Sequence, residues 1–389
     1  GLPPQAFPGD NNVETDWQDE IFRRGFVQNH GLSVSGGTES VRYYFSLGYS
    51  DQEGSTTNNS ITRYSTRANV DYSAAKWLTT GVKLQVSNQK NEGLNAGSNS
   101  LSGNVFNAVK AFPNVPVYDA EHPTGYNLTP DNTLLGAGNN LQNIAQNLTN
   151  IRYALDNNQQ VTNNMRFLGN AYMEFHLPFD IDVRSQIGVD NADTRDFQSL
   201  DPLHGDGRGS NGSVFRGYYN TLQWNWQNTV SWRKTLAEVH SIYVVAGTEY
   251  QKTNYDQFTG AGIDFSDPFF IQEGLQTGSF NTQSSSGFTG AEGFSSLFGR
   301  VNYDFDNKYL FSASVRQDAI SALPVDTRED IFLGGSVGWN IAQESFFNIA
   351  QVNDLKLRVG LAETGNTAIT ANSLFPALGT YGPELYGDQ

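Results

Sequence analysis

Across 389 residues the chain sets 40 acidic against 24 basic side chains, and a net charge of −16 argues against nucleic acid as a partner, which needs a basic track. The absence of cysteine excludes a disulfide framework, a thiolate metal site and a cysteine nucleophile. Aromatic residues reach 13% while hydrophobic ones total only 38%, and no apolar run approaches the roughly 18 residues of a membrane helix.

The predicted elements are strands with two chemically opposite faces. After an opening loop, the first descends through Leu32 and Val34. Then Val41, Tyr43, Phe45, Leu47 and Tyr49 alternate with Arg42, Tyr44, Ser46, Gly48 and Ser50. Tyr64, Thr66, Ala68, Val70 and Tyr72 oppose Arg63, Ser65, Arg67, Asn69 and Asp71, and Val82, Leu84 and Val86 oppose Lys83, Gln85 and Ser87. Further along, Phe179, Ile181, Val183, Ile187 and Val189 oppose Asp180, Asp182, Arg184, Gln186 and Asp190.

The clearest strand is YYNTLQWNWQNTVSWR, with Tyr218, Leu222, Trp224, Trp226, Val230 and Trp232 on one face and Gln223, Asn225, Gln227, Thr229 and Arg233 on the other. Later strands carry Val301, Tyr303 and Phe305, then Phe311, Ala313 and Val315, then Leu333, Val337, Trp339 and Ile341, and last Leu355, Leu357, Val359 and Leu361. Period-2 alternation marks a strand with one apolar and one polar face. Aromatic ends around an apolar middle, with a polar face behind, are the pattern of a transmembrane β-barrel wall. A Lys or Arg on the lipid side costs about 2–4 kcal/mol at the midplane, and here charges fall almost entirely on the polar side.

About twelve such strands are legible, most near or above the roughly 9–11 residues a tilted membrane strand requires. Their connections alternate in length. Short turns fall at Gly36–Ser40, Ala74–Lys76, Pro178, Lys234–Leu236 and Asp306–Lys308, and long polar connections at 51–61, 89–160, 192–216, 253–293 and 319–330. Short periplasmic turns and long extracellular loops are the outer-membrane convention. The connection 342–354 is longer than the other periplasmic turns. Within loop 89–160, Leu141, Ile144, Ala145, Leu148, Ile151 and Leu155 recur at helical spacing and predict one short amphipathic helix. An open sheet of twelve strands would leave two unpaired edges in hydrocarbon, so the chain reads as the middle section of a larger barrel.

No catalytic, cofactor or metal site is predicted. The five histidines (His30, His122, His176, His204, His240) have no zinc spacing and read as loop or strand polar residues. Asp201, Asp206 and Asn211 resemble a calcium loop only in composition, because the spacing fits no EF-hand. Asp180 and Asp182 read as exposed charges beside a turn, and His176 with Glu174 as lumen lining. Phe112, Tyr118 and Tyr126 in the long loop are the candidates for stacking a ligand, against the plainer reading that they pack the loop's own small core.

The stretches TDWQDEIFRRGFVQNHGLSVSGGTESVRYYFSLGYSDQEG at 15–54, NMRFLGNAYMEFHLPFDIDVRSQIGVD at 164–190, RVNYDFDNKYLFSASVRQDA at 300–319, SVGWNIAQESFF at 336–347 and VNDLKLRVGLAETGN at 352–366 resemble the SusC/RagA family of TonB-dependent outer-membrane transporters from Bacteroidota. The resemblance implies a plugged barrel of about 22 strands. Of it, residues 1–389 would be a partial barrel, without the plug, the first strand or the C-terminal strands. It also implies a SusD-like lipoprotein lid, coupling to TonB–ExbB–ExbD through the plug segment, surrounding outer-membrane lipid, and an oligosaccharide or oligopeptide ligand. A docking barrel in a larger envelope assembly and a self-contained porin are the alternatives.

Overall fold

The computed structural model describes residues 13–93, 104–138, 148–267, 275, 279–349 and 351–365. Twelve strands form one antiparallel sheet in simple sequence order. They are β1 (Val27–Gly37), β2 (Val41–Glu53), β3 (Ser60–Ala75), β4 (Leu78–Glu92), β5 (Gln159–Leu177), β6 (Ile181–Leu200), β7 (Ser213–Leu236), β8 (His240–Phe265), β9 (Phe280–Phe305), β10 (Tyr309–Ile320), β11 (Glu329–Asn340) and β12 (Lys356–Ala362). The all-β barrel wall expected from the alternation is what the chain forms.

Register supplies the barrel geometry. One row of paired residues runs Arg42, Asp71, Gly81, Tyr172, Gln186, Gln227, Glu249, Ser296, Asp318 and Asp330, all on the polar face. It starts one residue above the turn end of β2 and finishes ten residues above the turn end of β11. A climb of nine residues at about 3.3 Å over nine inter-strand steps of about 4.8 Å gives a strand tilt of about 35°. Transmembrane barrels tilt their strands by about this angle.

The opposite face carries the lipid-facing residues. Leu47, Val82, Val230, Phe311, Val337 and Val359 are exposed there although apolar. Paired aromatics stand at the ends of this band: Trp77 with Phe175 and Phe305 with Tyr309 near the short turns, Tyr49 with Tyr64 near the loops. Above the band the outward positions turn polar, at Asn191, Asp193 and Arg195 on β6 and at Lys252, Asn254 and Asp256 on β8. Such changes of face chemistry mark where strands leave hydrocarbon for water.

Strand length departs from expectation. β8 and β9 have 26 residues each, β7 has 24, and β10 and β11 have only 12. At about 3.3 Å per residue β8 is about 85 Å long, far more than a tilted crossing of an apolar band about 25 Å tall requires. The predicted long connections therefore shrink to 54–59, 93–158, 201–212, 266–279 and 321–328, because segments assigned to loops continue the ladder above the membrane. Above Phe294, β9 pairs with β8 alone among the described residues.

On the other side the turns are tight. The β7–β8 turn falls at 237–239 rather than Lys234–Leu236, which still belong to β7. Phe179 and Asp180, Ala237 and Glu238, and Asp306 and Asn307 all have positive φ. Pairs of positive φ define the type I′ turn, whose twist suits a two-stranded hairpin. Ala237 and Glu238 adopt it at φ 49° and 62°. Since a left-handed non-glycine residue costs about 1–2 kcal/mol, Ala237→Asn combined with Glu238→Gly is expected to raise stability by about 1 kcal/mol. A higher urea midpoint for the refolded barrel would confirm it, and an unchanged or lower one would refute it.

Candidate functional site

Lumen-facing side chains form ion-pair networks. Arg184 lies 3.9 Å from the Tyr172 ring centroid and 3.2 Å from Glu174, and the Tyr172 hydroxyl donates to Asp71 at 2.7 Å. Arg316 pairs with Asp318 at 2.6 Å and with Glu249 at 3.0 Å. A shallow concavity of about 570 Å³ is lined by Arg67, Lys83, Gln85, Asn170, Asp190 and Gln223, among others. This wall can hydrogen-bond a polar ligand at many points and has no charge of one sign to select an ion.

The residues read singly from sequence find partners. His176 contacts Asp182 through Nδ1 at 2.7 Å and the Thr79 hydroxyl through Nε2 at 3.0 Å, while Asp180 pairs with Lys234 at 2.5 Å. Asp180 and Asp182 thus serve different partners. Asp201 accepts hydrogen bonds from the Tyr153 hydroxyl and the Leu203 N–H, whereas Asn211 donates to Asp264. Asp201 and Asn211 do not converge on one point.

The connection between β4 and β5 builds a cap on the side of the long connections. Among its described residues are two short helices, α1 (Asn104–Lys110) and α2 (Ile151–Asn157). Asn150 caps α2, its side-chain oxygen accepting from the Tyr153 N–H, as polar N-cap residues do. This moves the helix from its predicted place: Ile151 and Leu155 are in it, and Leu148 is buried but not helical. Leu141, Ile144 and Ala145 lie outside the described residues. Trp17, Ile21, Ala108, Val115, Val117, Leu135, Leu148, Ile151, Ala154 and Leu155 form the core of the cap.

Phe112 packs against that core, and its carbonyl accepts the Trp17 Nε1–H at 3.1 Å. Tyr118 and Tyr126 are instead brought together, with ring centroids 5.3 Å apart, and Tyr126 meets Tyr153 edge-on at 5.1 Å. Tyr118 is 54% exposed. The Tyr126 hydroxyl donates to Asp156 at 2.8 Å, and Asp156 also accepts from Arg152 Nε at 2.8 Å. Burial and the Asp156 carboxylate push the Tyr126 phenol up to about 12, so it stays a neutral donor. The result is one exposed tyrosine ring standing on a second that is hydrogen-bonded in place.

Sequence reasoning missed His204, which is fully buried and joins two loops. Its Nε2 accepts the Asn150 N–H at 2.9 Å, and its Nδ1 donates to the Asn132 carbonyl at 2.7 Å. Asn150 in turn donates through its side chain to the Val117 carbonyl at 2.7 Å. Burial pushes the imidazole down to about 4, opposed by the bond to Asn132 and assisted by nearby Arg208.

No family model matches the chain. It is 29% identical over 377 residues to TonB-dependent receptor P26 of Formosa agariphila, covering 93% of this chain and 35% of that protein. It is 28% identical over 379 residues to TonB-dependent receptor SusC of Bacteroides thetaiotaomicron, covering 92% of this chain and 35% of that one. The chain thus spans about a third of the length of these curated relatives. Among solved structures, the RagAB peptide transporter superposes with a TM-score of 0.71 at 20% identity, over 94% of this chain and 40% of its own, which shows a shared fold. A tilted antiparallel wall with a lipid-facing band, tight turns on one side and a folded cap on the other makes the chain part of an outer-membrane β-barrel, similar to TonB-dependent receptor SusC over 92% of this chain and sharing its fold with the RagAB peptide transporter.

Proposed function

We propose that the protein carrying this chain imports oligosaccharides or oligopeptides across the outer membrane, driven by TonB–ExbB–ExbD and working with a SusD-like lipoprotein lid. The similarity to SusC over 92% of the chain is the observation that carries this reading. Further strands of the same barrel pair the outer edges of β1 and β12, since unpaired backbone groups in hydrocarbon cost several kcal/mol each. The chain's own share is wall, lumen lining and the cap within 93–158.

In this reading Tyr118 is the ligand's stacking surface, Tyr126 holds it in place, and Phe112 supports the cap from behind. Aromatic contacts of this kind contribute about 0.5–1.5 kcal/mol beyond the area they bury. Tyr118→Ala in the whole receptor should therefore weaken ligand binding about tenfold while Phe112→Leu changes it little. Calorimetry against a panel of glycans and peptides, with uptake measured in cells with and without TonB, tests both parts. Uptake that persists without TonB would overturn the import mechanism. Equal affinity of Tyr118→Ala and the parent would remove Tyr118 from the site.

A further inference from the structure

The connection between β11 and β12, longer than the other turns on the periplasmic side, does not hang below the lumen. Glu344 fixes its course: one carboxylate oxygen, Oε1, accepts the Tyr309 hydroxyl at 2.7 Å and the Trp339 Nε1–H at 2.9 Å. Tyr309 and Trp339 are register partners whose parity is that of Phe311 and Val337, the exposed apolar residues of the lipid face. The segment is thus folded outward against the membrane-facing side of the barrel. Beyond Glu344, the Phe347 N–H donates to the Glu344 carbonyl and the Val352 N–H to the Ile349 carbonyl.

What it presents there is apolar. Phe346 stands edge-on to Trp339, with ring centroids 6.3 Å apart, and is 67% exposed. Ile349 is 52% exposed. Trp and Tyr at the end of a barrel's apolar band sit at head-group level. Phe346, resting on Trp339, continues that surface, and Ile349 is exposed three residues further along the same segment.

We infer that this connection is a membrane-interface anchor, in which Phe346 and Ile349 insert into phospholipid of the inner leaflet of the outer membrane. A loose turn of this length would otherwise expose both side chains to the periplasm. Continuity with the lipid-facing girdle, and the outward bend that Glu344 enforces, select lipid over a protein of the periplasm. Anchoring apolar side chains at this boundary follows the physics of interfacial segments, which gain by burying apolar area just beneath the head groups.

Nitroxide labels at Phe346→Cys, Ile349→Cys and, as an aqueous control, Glu238→Cys in the whole receptor reconstituted in phospholipid bilayers test the inference. At the first two sites collisions with dissolved oxygen should exceed those with a water-soluble nickel chelate, and at the control the order should reverse. Chelate access at 346 and 349 equal to that at 238 would overturn the anchor. So would shielding from both reagents, which would assign the surface to a protein contact. The two anchor sites give independent readings, and heat-modifiable migration of each variant checks that it is folded.

Discussion

His204→Ala will leave the barrel wall intact and free the cap built by the β4–β5 connection. The substitution strands the Asn150 N–H and the Asn132 carbonyl, both held by the buried imidazole. An unpaired buried polar group costs about 1–3 kcal/mol, so two of them together with the lost ring contact to Tyr153 cost the cap about 3–5 kcal/mol. Opening of the cap should then rise at least about 100-fold, read as faster proteolysis within 104–158, because cleavage follows the population of the open form. Barrel strands, held by ladders that do not involve His204, should resist as before. An unchanged cleavage rate would sink the argument.

The same histidine makes the cap sensitive to acid. Its folded value of about 4 lies below the ordinary 6.5, so between them the unfolded cap binds more protons. Stability therefore rises with pH across this interval. The contribution is fully present above about pH 6.5, falls as pH drops, and is gone below about pH 4. A shift of this size corresponds to about 3 kcal/mol. Proton entry at Nε2 would set an N–H against the Asn150 N–H, which is the physical reason for the sign. Proteolysis of the cap should accelerate between pH 6.5 and 4 in the parent and stay flat in His204→Ala.

Phe45→Arg is the second large effect. Phe45 is 42% exposed in the middle of the β2 lipid band, paired with Val34 and Ala68. Arginine at the midplane costs about 2–4 kcal/mol. Ser46→Arg, one residue away, points into the polar lumen and should cost less than about 1 kcal/mol. Urea titration of the whole receptor folding into lipid vesicles separates the two. Equal midpoints would mean that the two faces of β2 do not meet different solvents.

The lipid band was legible because lipid writes it. Each of Val41–Tyr49, Tyr64–Tyr72 and Leu222–Trp232 alternates only as far as hydrocarbon reaches. Above that level both faces of a strand meet water, so NTQSSSGFTGA on β9 and NYDQFTGAGIDF on β8 lose the period and read as loop although they form ladders. Hydrogen bonding to the neighbouring strand, which leaves no side-chain pattern, decides their structure. In the cap, the helical spacing of Leu148, Ile151 and Leu155 pointed to a helix, but Asn150 caps its start two residues after Leu148. The pairing of Tyr118 with Tyr126 was within reach, eight residues apart across a turn-rich segment. His204 was not, since its partners are backbone groups 54 and 72 positions away.

Unequal strand lengths give this part of the barrel a sloping mouth. With their lower ends level at the turns, β8 and β9 stand about 38 Å higher along the membrane normal than β10 and β11 at the tilt found from the register. A flat cover laid across such a rim would touch only the high side and leave a side door above the short strands. The rim of this part of the barrel is thus high over the long strands and low over the short ones, so the way in from the side differs with direction.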